Sequence, residues 1–463
     1  MALDPQGLLL ETPSSPVAWT HTSSRTNAPV GHGYAKRSNT AKKGSMPSAP
    51  KPRPEPSEIG RRARTIRRRR GLSLDVAAGL AGISKSYLSM LEGGRRGFER
   101  RGLVEDIARA LGCSVSDLTG QPYLLADRES AEALATLPAI STALYDATLD
   151  DVPDMPARTL DELTRWAERA NEHTAHSRYT AAGRELSALL GELHVHAVTG
   201  DSDTRRAALQ GLVEACFVAS GVARALGNPD LAVSAARRGE DAADRLDDPA
   251  LTAFAAMTST SALSRLGARH RARRVAADAL EAVHTLADPT ATDTSAAQAA
   301  GMLHLASAQM AAKDQRSDDV VAHLDAAREL AERTGEQNRL WFSFGPANVR
   351  AWSLSTAVEL GEGPPLAEQI AATPGYDASL LTGDRKAALH FDLARAFGQA
   401  SGARDAAALR HLDLADRIAP QRIRHDPIAR ELVHELDMRA RLRAWELESL
   451  KNRLGTRSQS VND

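Results

Sequence analysis

Cysteine is close to absent from this chain: Cys113 and Cys216 are the only two among 463 residues. Two thiols so far apart in sequence build neither a disulfide framework nor a zinc knuckle, and their scarcity fits a reducing compartment. Long apolar runs are missing too, since none approaches the roughly 18 to 20 residues that a membrane span requires. Met1 to Pro16 holds only the short Leu8-Leu9-Leu10 cluster, flanked by Asp4 and Glu11, without the basic and apolar regions of a secretory signal. The expectation is a cytoplasmic protein with no membrane partner.

Signatures of catalysis are equally scarce. The sequence has no GxxxxGK[ST] phosphate loop, no HExxH and no Cys-x-x-Cys, and His194 and His196, two apart, fall on different faces of a helix. Scattered acidic residues are what a solvated helical surface needs, and spacing alone makes no acid-base pair of them. No catalytic residue, metal or cofactor is expected, and the chain is not read as an enzyme.

What is present is a strong charge asymmetry inside a net charge of −1. Up to Pro122 there are 20 Lys and Arg against 10 Asp and Glu; beyond it, 38 against 49. A basic amino-terminal domain on an acidic body is the footprint of a chain that meets a polyanion at one end. The bland alternative is a solvated basic tail.

Four segments follow along the chain. Residues 1–56 hold nine of the 22 prolines and no periodic apolar pattern, so they read as a disordered tail. Met46 offers a second translation start. Residues 57–122 read as a compact domain of five short helices, opened by Ser57, Ser73 and Ser84 as caps, with a fourth helix at Glu99 to Leu111 ending at Gly112 and a fifth at Val115 to Leu118.

Residues 123–454 read as amphipathic helix throughout, with breaks at Gly227-Asn228-Pro229, Gly267, Lys313-Asp314, Gly361 to Pro364 and Ser401-Gly402; residues 455–463 form a second tail. Small residues recur seven apart after several breaks: Ala232 and Gly239, Ala272 and Ala279, Ala408 and Ala415, and more weakly Val320 and Ala327. A period of 40 to 48 residues in paired helices argues for a helical-repeat solenoid over a non-repetitive bundle. The fold expected is all-α, a five-helix head followed by a solenoid.

The strongest local signal runs from Leu72 to Glu92. Two helices crossing steeply need a small residue at the crossing (Ala78), a glycine in the turn (Gly82) and apolar contacts at Ile83, Leu88 and Leu91. Ser84 then caps the second helix, and Lys85, Ser86 and Tyr87, with Ser89 a turn on, project from the end that enters a major groove.

Ile59 to Gly120 resembles the helix-turn-helix domain of the XRE family of bacterial and phage regulators. The family's opening is matched by Ile59-Gly60, Arg64, Ile66, Arg67 and Gly71-Leu72-Ser73. Its third helix is matched by Ser84 to Ser89 with Glu92-Gly93-Gly94-Arg95, and its close by Ile107 to Gly112 and Leu118. The resemblance implies base contacts from Lys85, Ser86 and Ser89, and phosphate contacts from Arg64, Arg67, Tyr87, Arg95 and Arg96. The sequence departs from the family at Leu74, where a phosphate-touching glutamine is usual, at Met90, where a polar base reader is common, and in the linker Arg96 to Gly102. Cys113 reads as a small core residue between the last two helices.

The long carboxy-terminal region resembles a divergent tetratricopeptide-repeat array, with the family's aromatic and Leu-Gly signature largely replaced by Ala, Ser and Thr. The combination resembles regulators that join an XRE-type head to such repeats, including peptide-sensing ones. Leu340 to Arg350 concentrates three of the twelve Trp and Phe residues. Trp341, Phe344, Asn348 and Arg350 are the candidates for an effector site, against the alternative of a packed kink between repeats. The resulting reading is a sequence-specific DNA-binding transcriptional regulator, a homodimer on a palindromic double-stranded operator, sensing a peptide, small molecule or protein partner. The alternative is a protein-interaction adaptor with an auxiliary DNA-binding head.

Overall fold

The computed structural model describes residues 55–125, 127–152, 154–440 and 444–456. Both expected tails lie almost wholly outside these residues. Three serine hydroxyls open the first three helices as their spacing predicts: Ser57 accepts from the Gly60 N–H, Ser73 from Val76 and Ser84 from Tyr87, each at 3.2 Å. The head is α1 (Glu58–Arg69), α2 (Leu74–Leu80), α3 (Lys85–Glu92), α4 (Arg101–Leu111) and α5 (Val115–Thr119).

The body begins with α6 (Arg128–Asp146), α7 (Leu160–Ala175), α8 (Tyr179–Arg184) and α9 (Leu186–Thr199). Antiparallel pairs follow: α10 (Ser202–Ala225) with α11 (Pro229–Ala243), α12 (Pro249–Leu266) with α13 (Arg269–Val283), and α14 (Ser295–Lys313) with α15 (Ser317–Thr334). Two more are α16 (Pro346–Leu360) with α17 (Gly363–Ala371), and α18 (Gly383–Gly398) with α19 (Asp405–Ile418). The chain closes with α20 (Pro420–Arg424), α21 (Pro427–Arg439) and α22 (Trp445–Arg453). Among the described residues the only β feature is a single bridge between Gln337 and Phe344.

All five breaks read from the sequence separate helices. The first helices of successive pairs begin 37 to 51 residues apart, a wider spread than the expected 40 to 48. The small residues seven apart all fall on second helices, on α11, α13, α15 and α19, where each pair presses together. A Cβ on Gly239 would stand 3.1 Å from that of Cys216 on α10, so glycine there sets how closely α11 approaches.

First helices α10, α12, α14, α16 and α18 pack on one another in order and form the inner layer. The layer curls until its ends meet. Ser177 donates to Asp384 at 2.8 Å, Gln421 accepts from the Thr180 N–H at 3.1 Å, and the Gln421 amide donates to Glu129 at 2.8 Å. The first body helices thus touch α18 and α20, closing the superhelix around a central cavity.

The head is not a free appendage. Its core, from Ile59 to Leu118, is continuous with that of residues 347–454. The Arg96 to Gly102 linker is part of this seam: Phe98 is fully buried, and a Cβ on Gly97 would meet the Glu435 carboxylate.

Candidate functional site

Ala78 (2% exposed), Leu88 and Leu91 are buried where α2 crosses α3, Ile83 is half-buried beside them, and Gly82 turns the chain at φ +69°, a conformation that suits a residue without Cβ. Lys85 and Ser86 stand exposed on the first turn of α3, and Ser89, Tyr87 and Met90 are half-buried. Lys85 forms a 2.6 Å ion pair with Asp75, with both side chains largely in solvent, so releasing it costs little. Arg64 on α1 and Arg95 and Arg96 just after α3 are exposed.

Arg67 corrects the expectation. It is buried, its guanidinium forks onto Glu92 at 2.6 and 2.8 Å, and its remaining nitrogen donates to the Leu72 carbonyl at 2.9 Å. Each of its three nitrogens is engaged at the joint of α1 with α3 and with the loop before α2, and the hydrogen bond to buried Glu92 raises its pKa further. Its burial and its fork onto Glu92 make it a structural residue of the head. Tyr87 is half-buried beside Arg100, and burial raises its phenol pKa.

The opposite side of the head is clamped by α4. This helix lacks a side-chain cap of its own; instead the N–H groups of Arg101 and Gly102 both donate, at 3.2 Å, to the carboxylate of Glu359 on α16. Glu359 is fully buried and also accepts from Arg395 at 2.5 Å. Burial alone would raise its pKa, yet Arg395, Lys313 and Arg101 together hold it below the ordinary carboxylate value. Further along α4, Glu105 accepts from Lys313 at 2.6 Å and pairs with Arg269 at 3.1 Å, while the Arg101 guanidinium reaches Asp426 at 2.5 Å.

The central cavity has a volume of about 280 Å³. It is lined from α7 and the inner helices, and by Arg101 of the head. Of the four effector candidates, Trp341 and Asn348 line it, and Phe344 and Arg350 do not. Phe344 is fully buried over Gly301, where a Cβ would clash with its ring, and Arg350 lies on the surface, donating to the Tyr376 carbonyl at 2.8 Å. The segment is a packed kink between α15 and α16, with Trp341 at φ +58° and Ser343 at φ +50°.

Sequence reasoning missed the cavity arginines Arg224 and Arg265. Each stands near the end of an apolar inner helix, where a lone cation reads as a last-turn complement to the helix dipole. His194 is buried in the body and His196 is half-buried, its Nε2 at 2.7 Å from the Arg158 carbonyl. Among the described residues no three His, Cys, Asp or Glu side chains converge as a metal site requires, and no helix is long and apolar enough to cross a membrane.

A capped second helix crossing the first over Ala78, with its first turn facing solvent, places the head in the class of helix-turn-helix domains. The helix-turn-helix domain family matches residues 58–119, all of it within the head. None of the curated proteins matches this chain. Among solved structures, Bacillus thuringiensis PlcR in complex with the peptide PapR7 and DNA aligns at a TM-score of 0.23 and 10% identity, over 59% of this chain and 94% of that one.

Proposed function

We propose that this protein is a cytoplasmic, sequence-specific DNA-binding transcriptional regulator whose repeat body, tetratricopeptide-like in character, dimerises and senses an effector. The observation that carries the reading is the disposition of the head: α4 is clamped to the body while Lys85 and Ser86 on the first turn of α3 are exposed, as are Arg64 on α1 and Arg95 and Arg96 just beyond α3. In this reading Lys85, Ser86 and Ser89 contact base edges, and the exposed arginines and Tyr87 hold phosphates. Two copies would read half-sites about one helical turn, roughly 34 Å, apart on a palindromic operator.

Sensing follows from linkage. An effector in the body changes operator affinity only through unequal affinity for two arrangements of the paired heads, and the operator then changes effector affinity by the same factor. The seam between α4 and the inner helices is the element such an effector would bias.

The test is selection of genomic DNA fragments by the purified protein and by a Lys85→Ala, Ser86→Ala double variant at near-physiological salt. A two-fold-symmetric motif recovered by the wild type and lost in the variant supports the regulator. Specific sites should bind at least about 10³-fold more tightly than random duplex. A wild type that treats selected and random duplex alike, with and without small anions in the buffer, would favour the adaptor reading.

A further inference from the structure

The central cavity carries more positive charge than its acids offset. Four guanidinium groups converge on one wall, Arg101 from the head, Arg224 from α10, Arg265 from α12 and Arg422 from α20. The acids of that wall are already engaged. Asp426 pairs with Arg101 at 2.5 Å, and Asp384 is shared between Arg422 and Arg385. Asp392, also on the lining, takes Arg395 at 2.8 Å.

Arg265 is left with a 3.8 Å approach to the same Asp426 oxygen that Arg101 holds. Arg224 makes no side-chain hydrogen bond or ion pair with any described residue. Burial, and then the neighbouring arginines, depress the pKa of both guanidinium groups, that of Arg265 to about 10. Like charges gathered out of bulk water without counter-charges are costly, and an anion among them relieves the cost.

The rest of the lining has a different character. Phe217, Met257, Met302 and Trp352 present apolar surface. Between them stand buried polar atoms with no hydrogen-bond partner among the described residues: Asn171 Oδ1, Thr260 Oγ1, Gln309 Oε1, Asn348 Oδ1 and Trp352 Nε1. Asn171, Thr260 and Asn348 are each 1% exposed. Buried polar groups are ordinarily satisfied, and several unsatisfied ones around one cavity mark the place where a ligand completes them.

We propose that this cavity binds a small organic anion with an apolar body, its charged head between Arg224 and Arg265 and its body against Phe217, Met257 and Trp352, with the unpartnered amides bonding to polar groups between. The volume, at the lower edge of the about 300 to 1,000 Å³ usual for small-molecule sites, suits a compact molecule. The inference rests on the sensing role proposed for the body and names the chemistry of the effector. Arg101 carries the occupancy to the head, because the residue whose N–H starts α4 on Glu359 also lines the anion pocket through its side chain.

The test uses the full chain and two fluorescent probes of the same shape, 8-anilinonaphthalene-1-sulfonate, which carries an anionic head, and uncharged N-phenyl-1-naphthylamine. The wild type should bind the sulfonate saturably at one site per chain, at least about tenfold more tightly than the amine, the ratio that one charge-assisted hydrogen bond supplies. Arg224→Gln and Arg265→Gln should each erase most of that preference while leaving the amine's affinity within about twofold, which also reports that the cavity is intact.

No saturable site, equal affinity for the two probes in the wild type, or a preference that survives in both variants would each overturn the proposal. The measurement contains no DNA, so a head that reads no operator leaves its outcome unaffected.

Discussion

Glu359 bonds the head to the body, and removing it should loosen both. In Glu359→Ala the Arg101 and Gly102 N–H groups lose their acceptor, and Arg395, 3% exposed, keeps only Asp392 and the Glu99 carbonyl. Breaking a buried pair costs about 3 to 5 kcal/mol, and an orphaned buried N–H about 1 to 3 kcal/mol. Both losses stem from one carboxylate and do not add, so the expected destabilisation is about 4 kcal/mol. Glu359→Gln keeps the shape and one acceptor oxygen, and should cost about half as much.

Urea unfolding followed by circular dichroism measures the loss, and hydrogen exchange locates it, since the amides of Arg101 and Gly102 should lose protection ahead of those in α10 and α12. In a double-mutant cycle with Arg395→Met, the pair should show a coupling of about 2 kcal/mol. A loss below about 1.5 kcal/mol for the alanine variant, or no coupling, would refute the claim that this carboxylate holds α4.

Three further outcomes follow from particular contacts. Arg67→Ala should destabilise the chain by about 3 to 5 kcal/mol by stranding buried Glu92. Arg95→Ala should leave stability within about 0.5 kcal/mol and lower the salt slope of DNA binding by about one; thermal unfolding and salt-titrated binding separate the two arginines. Gly301→Ala should cost about 1 to 3 kcal/mol, because its Cβ would fall 2.1 Å from the Phe344 ring, and calorimetry would read the drop in Tm.

Glu431 makes the fourth. It is buried beside Ser57, Ile59 and Phe98 of the head, and burial raises its pKa to about 7. The unfolded carboxyl titrates near 4.5, so between these values the folded state binds more protons, and this group makes stability fall as pH rises from 4.5 to 7. Glu431→Gln should therefore gain on the wild type across that window, by about 3 kcal/mol at pH 8, in paired denaturation curves. A constant difference across pH would contradict it.

The sequence was most legible where structure depends on neighbours along the chain. Serine caps, the glycine at φ +69° in the turn and the small residues seven apart all act within a few residues, and spacing exposes them. What stayed hidden are partners far apart. Arg101 and Glu359 are 258 residues apart, and no periodicity relates them. The same holds for the cavity: Arg224, Arg265 and Arg422 come together only because the superhelix closes. Arg67 shows the remaining limit, for an arginine at a phosphate-contacting position reads identically whether or not a glutamate 25 residues on captures it. In the Trp341 to Arg350 segment, composition marked the place, and the kink then divided its residues among cavity, core and surface.

The dependence of α4 on Glu359 also has a meaning in time. At about 5 to 20 residues per second, a ribosome that has finished Gly102 needs roughly ten to fifty seconds more to reach its partner. Through that interval the Arg101 and Gly102 N–H groups lack the Glu359 acceptor, although Arg269 and Lys313, which take Glu105 further along α4, are made before it ends. A chain cut short before Glu359 would leave the first N–H groups of α4 without their acceptor, held to the body only through Glu105 if the cut falls after Lys313.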